Sequence, residues 1–188
     1  MTTPFPTLRT SRMLLRQLSG SDTPALLALY GNADFMRYSG TVRWACIEDA
    51  NAYLAADARQ REEGTAKRFG LQLSGALVGT CSLLNIHPQG RRCEIGYGLA
   101  PDYWGRGLAG EAVDVVVDYA FNALAMRRVQ ANVDPRNAAS VRLLERLGFQ
   151  LEGTLREHHL VNQRPADSSI FGLLDSDWAG SPIGARQT

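Results

Sequence analysis

Glu94-Ile95-Gly96-Tyr97-Gly98-Leu99-Ala100-Pro101-Asp102-Tyr103-Trp104-Gly105-Arg106-Gly107-Leu108-Ala109-Gly110-Glu111-Ala112 is the stretch that decides the fold. Over 92–99 the residues alternate. Cys93, Ile95, Tyr97 and Leu99 fall on one face and Glu94, Gly96 and Gly98 on the other, the two-residue period of a strand. Over 107–122 the period becomes helical, with Leu108, Ala112, Val115, Val116, Tyr119 and Ala120 along one stripe. Glu111, Asp114, Asp118 and Asn122 face the other way. Between strand and helix lies a glycine-rich turn. Gly105 and Gly107 carry no Cβ that would hold a bulky anion away from the backbone. The amides from Gly105 to Ala109 converge where the helix dipole adds partial positive charge. The pattern predicts a pyrophosphate cradle that needs no lysine. It also suits a tight turn that merely joins a strand to a helix.

Working outward, 12–18 and 67–73 read as strands, and 76–86 follows 67–73 across a Ser74-Gly75 hairpin turn. Ser21-Asp22 with Pro24 opens a short helix, and 47–63 reads as a second. Downstream, 128–133 is a strand and 137–147 a helix that Gly148 ends in a left-handed cap. Strands over 149–159 and 168–174 close the order. The sequence β-α-α-β-β-β-α-β-α-β-β predicts an α/β (α+β) sandwich, its mainly antiparallel sheet of six to seven strands flanked by helices. A single domain over 8–178 is expected, with a flexible tail over 179–188.

Bulk properties narrow the class. The chain has 188 residues, 45% apolar and 21% charged, with a formal net charge of +1. That charge gives no reason to expect nucleic acid or an anionic membrane as partner. Cys46, Cys81 and Cys93 are odd in number and form no CxxC pair, which suits a reducing cytosol better than a disulfide framework. The opening residues lack a signal-peptide pattern, and no run approaches the ~20 apolar residues of a membrane span. A cytoplasmic protein, monomer or homodimer, is expected, with no metal.

The segment from Tyr103 to Ala109 resembles the acyl-CoA signature of the GNAT superfamily, Gln/Arg-x-x-Gly-x-Gly/Ala. Gly107 and Ala109 fill the last two defined places and Trp104 the first. The form Tyr103-Trp104-Gly105-Arg106-Gly107-Leu108-Ala109 is similar to the RimJ/RimL branch, which acetylates N-terminal amines of ribosomal proteins. A second block, Asn132 to Phe149, is similar to the family's strand-helix-Gly-Phe segment. Leu8–Arg16 and Gly148–Arg156 resemble the branch's opening strand and the segment after its last helix.

The resemblance implies an acyl-CoA-dependent N-acetyltransferase that moves an acetyl group from acetyl-CoA to a primary amine. The acceptor would be a small molecule or a protein N-terminus. It implies acetyl-CoA contacts at Leu99, Ala100, Trp104, Gly105, Arg106, Gly107, Leu108, Ala109 and Asn137. Many superfamily members have a tyrosine acid where Leu144 stands, so Ser140, in the first turn of the same helix, becomes the donor to the departing thiolate. Amides near Leu99 and Ala100 would polarise the thioester carbonyl. His159 would take the amine's proton, with Glu94 acting through water as the alternative. Neither a nucleophile elbow nor a base beside a cysteine or serine is present, so direct transfer is expected.

Other readings stay open at this level. A non-catalytic acyl-CoA binder would keep the same turn. Gly105-Arg106-Gly107-Leu108-Ala109-Gly110 also spells GxGxxG, with Asp134 as a ribose-binding acid, which would make a dinucleotide-binding oxidoreductase. Five residues separate the strand from the first glycine, whereas that fingerprint wants the turn at once. On a regular strand Glu157 and His159 would share one face and His158 the other.

Overall fold

The expected strands and helices form, and they assemble into one sheet clothed on both faces. The computed structural model describes residues 4–161 and 163–179. The elements are β1 (Leu8–Arg9), β2 (Leu14–Gln17), α1 (Thr23–Tyr30), α2 (Ile47–Glu62), β3 (Lys67–Leu73), β4 (Ala76–His87) and β5 (Arg92–Leu99). There follow α3 (Leu108–Asp118), β6 (Arg128–Val133), α4 (Ala138–Arg146), β7 (Gln150–Val161), β8 (Arg164–Leu174) and α5 (Asp175–Ala179). The sheet runs β1-β2-β3-β4-β5-β6-β8-β7, eight strands instead of six or seven. The addition is β1, whose two residues are too few to show any period. Ala179, expected to begin the tail, ends α5, and the rest of the tail lies outside the described residues.

One face of the sheet carries the larger core under α3 and α4. On α3 the buried residues are Leu108, Ala112, Val113, Val116 and Val117, and Ala120 continues them in the following turn. The sequence put Val115 and Tyr119 in that stripe, but both are only half-buried. Val113 and Val117 replace them because the row through 113 and 117 lies beside the row through 108, 112, 116 and 120. A helix lying flat on a sheet buries both rows. Its last turn also widens into a π-helical turn over Tyr119–Ala123. On α4, Leu143 and Leu144 are buried, and Gly148 (φ +90°) ends the helix while Phe149 N–H donates to the Leu144 carbonyl at 3.0 Å.

The other face is covered by α1, α2 and the segment between them. Tyr30 stacks on Trp44 at 4.3 Å, and its hydroxyl shares hydrogen bonds with Tyr53 and Thr80. Phe35 lies on Gly98, where an added Cβ would come within 2.8 Å of the ring. That close approach is why β5 carries a glycine there.

The centre of the sheet holds the feature that positions the site. Among the described residues, only β5 and β6 run parallel, and they pair only at Arg92/Arg128, Cys93/Val129 and Glu94/Gln130. Beyond Glu94, β5 stays with β4 to Leu99, while β6 stays with β8 to Val133. The two strands therefore part, and a wedge opens between 95–99 and 131–133.

Candidate active site

The ladder register decides which backbone groups face the wedge. Ala100 N–H donates to the Val78 carbonyl at 2.8 Å. Alternate residues of an antiparallel pair bond to the same neighbour, so Tyr97 and Leu99 turn their amides away from β4, toward the wedge. This corrects one expectation: the Ala100 amide is already bonded to Val78 and is not free to donate to a thioester carbonyl, whereas that of Leu99 faces the wedge. The Leu99 carbonyl accepts the Trp104 indole N–H at 2.7 Å. Trp104, half-exposed, thus fastens the glycine turn to the end of β5, a task the motif alone does not reveal.

After the turn over Pro101–Tyr103, Gly105 (φ +70°) and Gly107 (φ +77°) both adopt left-handed backbone. Gly107 caps α3, leaving the amides of Leu108, Ala109 and Gly110 in a first turn without intrahelical acceptors. Leu108 offers only its amide, since its side chain is buried in the core. A Cβ on Gly105 would meet nothing within 4 Å, so that side of the cradle is open. The Arg106 guanidinium lies over the Tyr103 ring at 5.6 Å.

Two arginines join the cradle that sequence reasoning missed. Arg12, from the segment before β2, is held by Glu111 at 2.7 Å and stands 3.5 Å from where a Cβ on Gly107 would be. Arg146, at the end of α4, reaches within 3.1 Å of the same point on Gly110. Neither lies near the glycines in sequence. A basic residue in the last turn of α4 was the only signal, and it reads equally well as a complement to that helix's own dipole.

Deeper in, the Asn137 side chain accepts the Ser140 N–H at 3.2 Å, the expected cap, and so fixes Ser140 in the first turn of α4. The Tyr97 hydroxyl is buried and makes no hydrogen bond of ordinary geometry. Burial pushes its pKa up to about 12, and the Ser140 hydroxyl beside it pulls it partly back. A phenol of that pKa keeps its proton throughout the neutral range. Leu144 is fully buried hydrocarbon.

On the opposite face of β5, Glu94 accepts a long hydrogen bond from the Asn132 amide at 3.4 Å. His159 lies against the α1–α2 segment on this side. The β7–β8 register jumps between Leu155/Ser168 and His159/Ala166, and Glu157 sits in the bulge at φ +49°. The jump adds two residues to β7, so Leu155 and His159, paired with Ser168 and Ala166, still share a face. His159 is half-buried, its ring 3.3 Å from the Cβ position of Gly40, whereas His158 is exposed. His87 accepts the Gly90 N–H in an exposed turn away from the wedge.

Asp134 ends up buried. Arg136 holds its carboxylate from the loop before α4, with Nε 2.9 Å from Oδ1, and this pairing lowers the carboxyl pKa. A side chain so enclosed is no ribose ligand, and the mainly antiparallel sheet overturns the dinucleotide-binding reading. None of the three thiols is poised as a nucleophile. Burial raises Cys81 and takes Cys93 to about 12, and the Glu48 side chain holds exposed Cys46 up. Among the described residues no group of three or more His, Cys, Asp or Glu could hold a metal ion. No described helix is long and apolar enough to cross a membrane.

A parted strand pair leading from an amide cradle to a serine and a buried phenol defines an acyl-CoA-dependent acyltransferase, and the family comparison agrees. Residues 12–150 match the acetyltransferase (GNAT) domain, and the chain belongs to that family of N-acetyltransferases, which move the acetyl group of acetyl-CoA to amines. It is similar to the uncharacterized N-acetyltransferase YoaA of Bacillus subtilis (strain 168), 36% identical over 172 residues, 90% of this chain and 97% of that one. Among solved structures it resembles the spermidine N-acetyltransferase of Vibrio cholerae in complex with CoA and spermine. The TM-score is 0.81 and the identity 25%, over 90% of this chain and 99% of that one. It also shares the fold of Mycobacterium smegmatis RimJ in complex with CoA-disulfide, at a TM-score of 0.88 and 21% identity over 96% and 92% of the two chains.

Proposed function

We propose that the chain transfers the acetyl group by direct attack of a neutral amine on the thioester, within the wedge between β5 and β6. The carrying observation is that the glycine turn opening α3, the wedge-facing amides of Leu99 and Tyr97, and the neighbouring Ser140 and Tyr97 hydroxyls all belong to the parted end of β5 and the helices beside it. The first-turn amides, with Arg12 and Arg146, hold the pyrophosphate. The Leu99 amide donates to the thioester carbonyl as negative charge gathers on its oxygen. His159 takes the amine's proton. Ser140, with Tyr97 behind it, gives the departing sulfur a proton or a hydrogen bond. The Tyr97 pKa of about 12 suits this use, because the phenol arrives protonated.

Acetyl-CoA consumption measured across N-terminal peptides and small amines tests the function, and steady turnover with at least one class is expected. Acetyl-CoA binding without turnover on any amine would make the chain a non-catalytic binder. Direct transfer has its own check. Converting Cys46, Cys81 and Cys93 together to alanine or serine is expected to leave most of the activity of the folded protein. An acylated cysteine trapped in the mass spectrum would overturn that mechanism.

A further inference from the structure

Next to the proposed amine site is an open cavity of about 500 Å³ lined by Arg37, Tyr38, Arg136, Val161 and Arg164. Three of these five residues are arginines, brought together from the α1–α2 segment, the β6–α4 loop and the first residue of β8. The cavity adjoins the reacting centre. Arg136 immediately precedes Asn137, the cap that fixes Ser140. Asp134, the carboxylate that holds Arg136, is close enough to feel the charge of His159.

The carboxylates nearby do not cancel this charge inside the cavity. Asp134 has 0% of its side chain exposed and grips Arg136 from behind, while the Arg136 side chain remains 62% exposed. Asp34 pairs with Arg37, whose side chain is still 57% exposed. Asp167 acts on Arg136 and accepts the Glu157 N–H from the β7 bulge. None of the three acids lines the cavity. Asp134 serves to hold one guanidinium in place with its remaining donors outward, an arrangement suited to a second carboxylate or a phosphate.

We propose that this arginine cavity selects an amine acceptor bearing an anionic group, carboxylate or phosphate, and disfavours polyamines. The proposal rests on the acetyl-transfer reading and narrows its substrate class. A polycation such as spermidine would bring its second and third ammonium groups against three guanidiniums, whereas an acidic residue following a peptide's amine would find donors there.

Two measurements on the full chain test it, binding with CoA bound and turnover with acetyl-CoA supplied. The first is calorimetric binding of Ala-Glu-Asp-Glu, its neutral counterpart Ala-Gln-Asn-Gln, glucosamine 6-phosphate, glucosamine and spermidine. The second is the KM of each as acceptor. Tighter binding of an anionic probe than of its neutral partner, roughly tenfold or more and shrinking with added salt, is expected, and the preferred probe tells carboxylate from phosphate. Arg37→Gln with Arg164→Gln should erase this preference with acetyl-CoA affinity unchanged, and Arg164→Glu should move it toward spermidine. Arg136 stays intact because its loss would leave Asp134 buried and unpaired. Equal binding of anionic and neutral probes, or spermidine as the tightest ligand of the unaltered chain, would overturn the proposal. Selective binding of the anionic probe without its acetylation would uphold the cavity's selectivity and count against acetyl transfer instead.

Discussion

A folded Gly107→Val variant is expected to lose acetyl-CoA binding. Gly107 stands at φ +77°, where a β-branched residue costs on the order of 1–3 kcal/mol of strain. The substitution therefore pushes the turn toward another backbone conformation, and the amides of Leu108, Ala109 and Gly110 no longer converge. Its added methyls also stand toward the Arg12 guanidinium, 3.5 Å from the Cβ position. Two lost hydrogen bonds to a charged phosphate, at roughly 1.5–3 kcal/mol each, weaken affinity by about 10² to 10⁴-fold. Calorimetric titration with acetyl-CoA checks this, with circular dichroism to show that the fold persists. Because Gly107 is an exposed cap outside the core, the melting temperature should fall far less than the affinity. Unchanged affinity in a folded variant would place the pyrophosphate elsewhere.

Ser140→Ala should slow the chemical step while sparing acetyl-CoA affinity. If the hydroxyl engages the sulfur only as charge develops there, kcat falls by roughly ten- to a thousandfold, the range for one well-placed donor. The competing account is that Ser140 only stabilises the start of α4. The structure weakens that account, because Asn137 accepts the backbone N–H of residue 140, which alanine retains. Alanine also propagates a helix better than serine. Single-turnover rate and melting temperature measured on the same variant separate the two. An unchanged rate with a lowered melting temperature would remove Ser140 from the mechanism and leave Tyr97 as the proton donor. Combining Ser140→Ala with Tyr97→Phe then reports whether the two hydroxyls share the task, since linked groups give non-additive losses.

Local pattern carried much of the architecture. The period of two over 92–99 and of 3.6 over 107–122 depends only on neighbours along the chain, so β5 and α3 could be read directly. Gly148 marked a left-handed cap for the same reason and has φ +90°, while Gly105 and Gly107, read as a turn open to an anion, also prove to have positive φ. The cap at Asn137 was equally local. Pattern failed where neighbours across the sheet decide. Which apolar residues of α3 go inward depends on how flat the helix lies, which brought in Val113 and Val117. The bulge around Glu157 is visible only in the pairing of β7 with β8. The availability of the Leu99 amide, and the loss of Ala100's, depend on register against β4.

The sequence by itself thus determined the element order, the glycine turn that opens α3 and the serine in the first turn of α4, because each is written in short-range spacing and backbone freedom. The tertiary structure alone decided the rest of the site. Arg12 and Arg146 reach the glycine turn from the segment before β2 and from the end of α4, the Tyr97 hydroxyl lies beside Ser140, and three arginines from separate segments line one cavity. The physical reason is that charge and burial act through space. The pKa of a phenol or the pull of a guanidinium depends on what surrounds it in three dimensions, and sequence separation does not encode those distances.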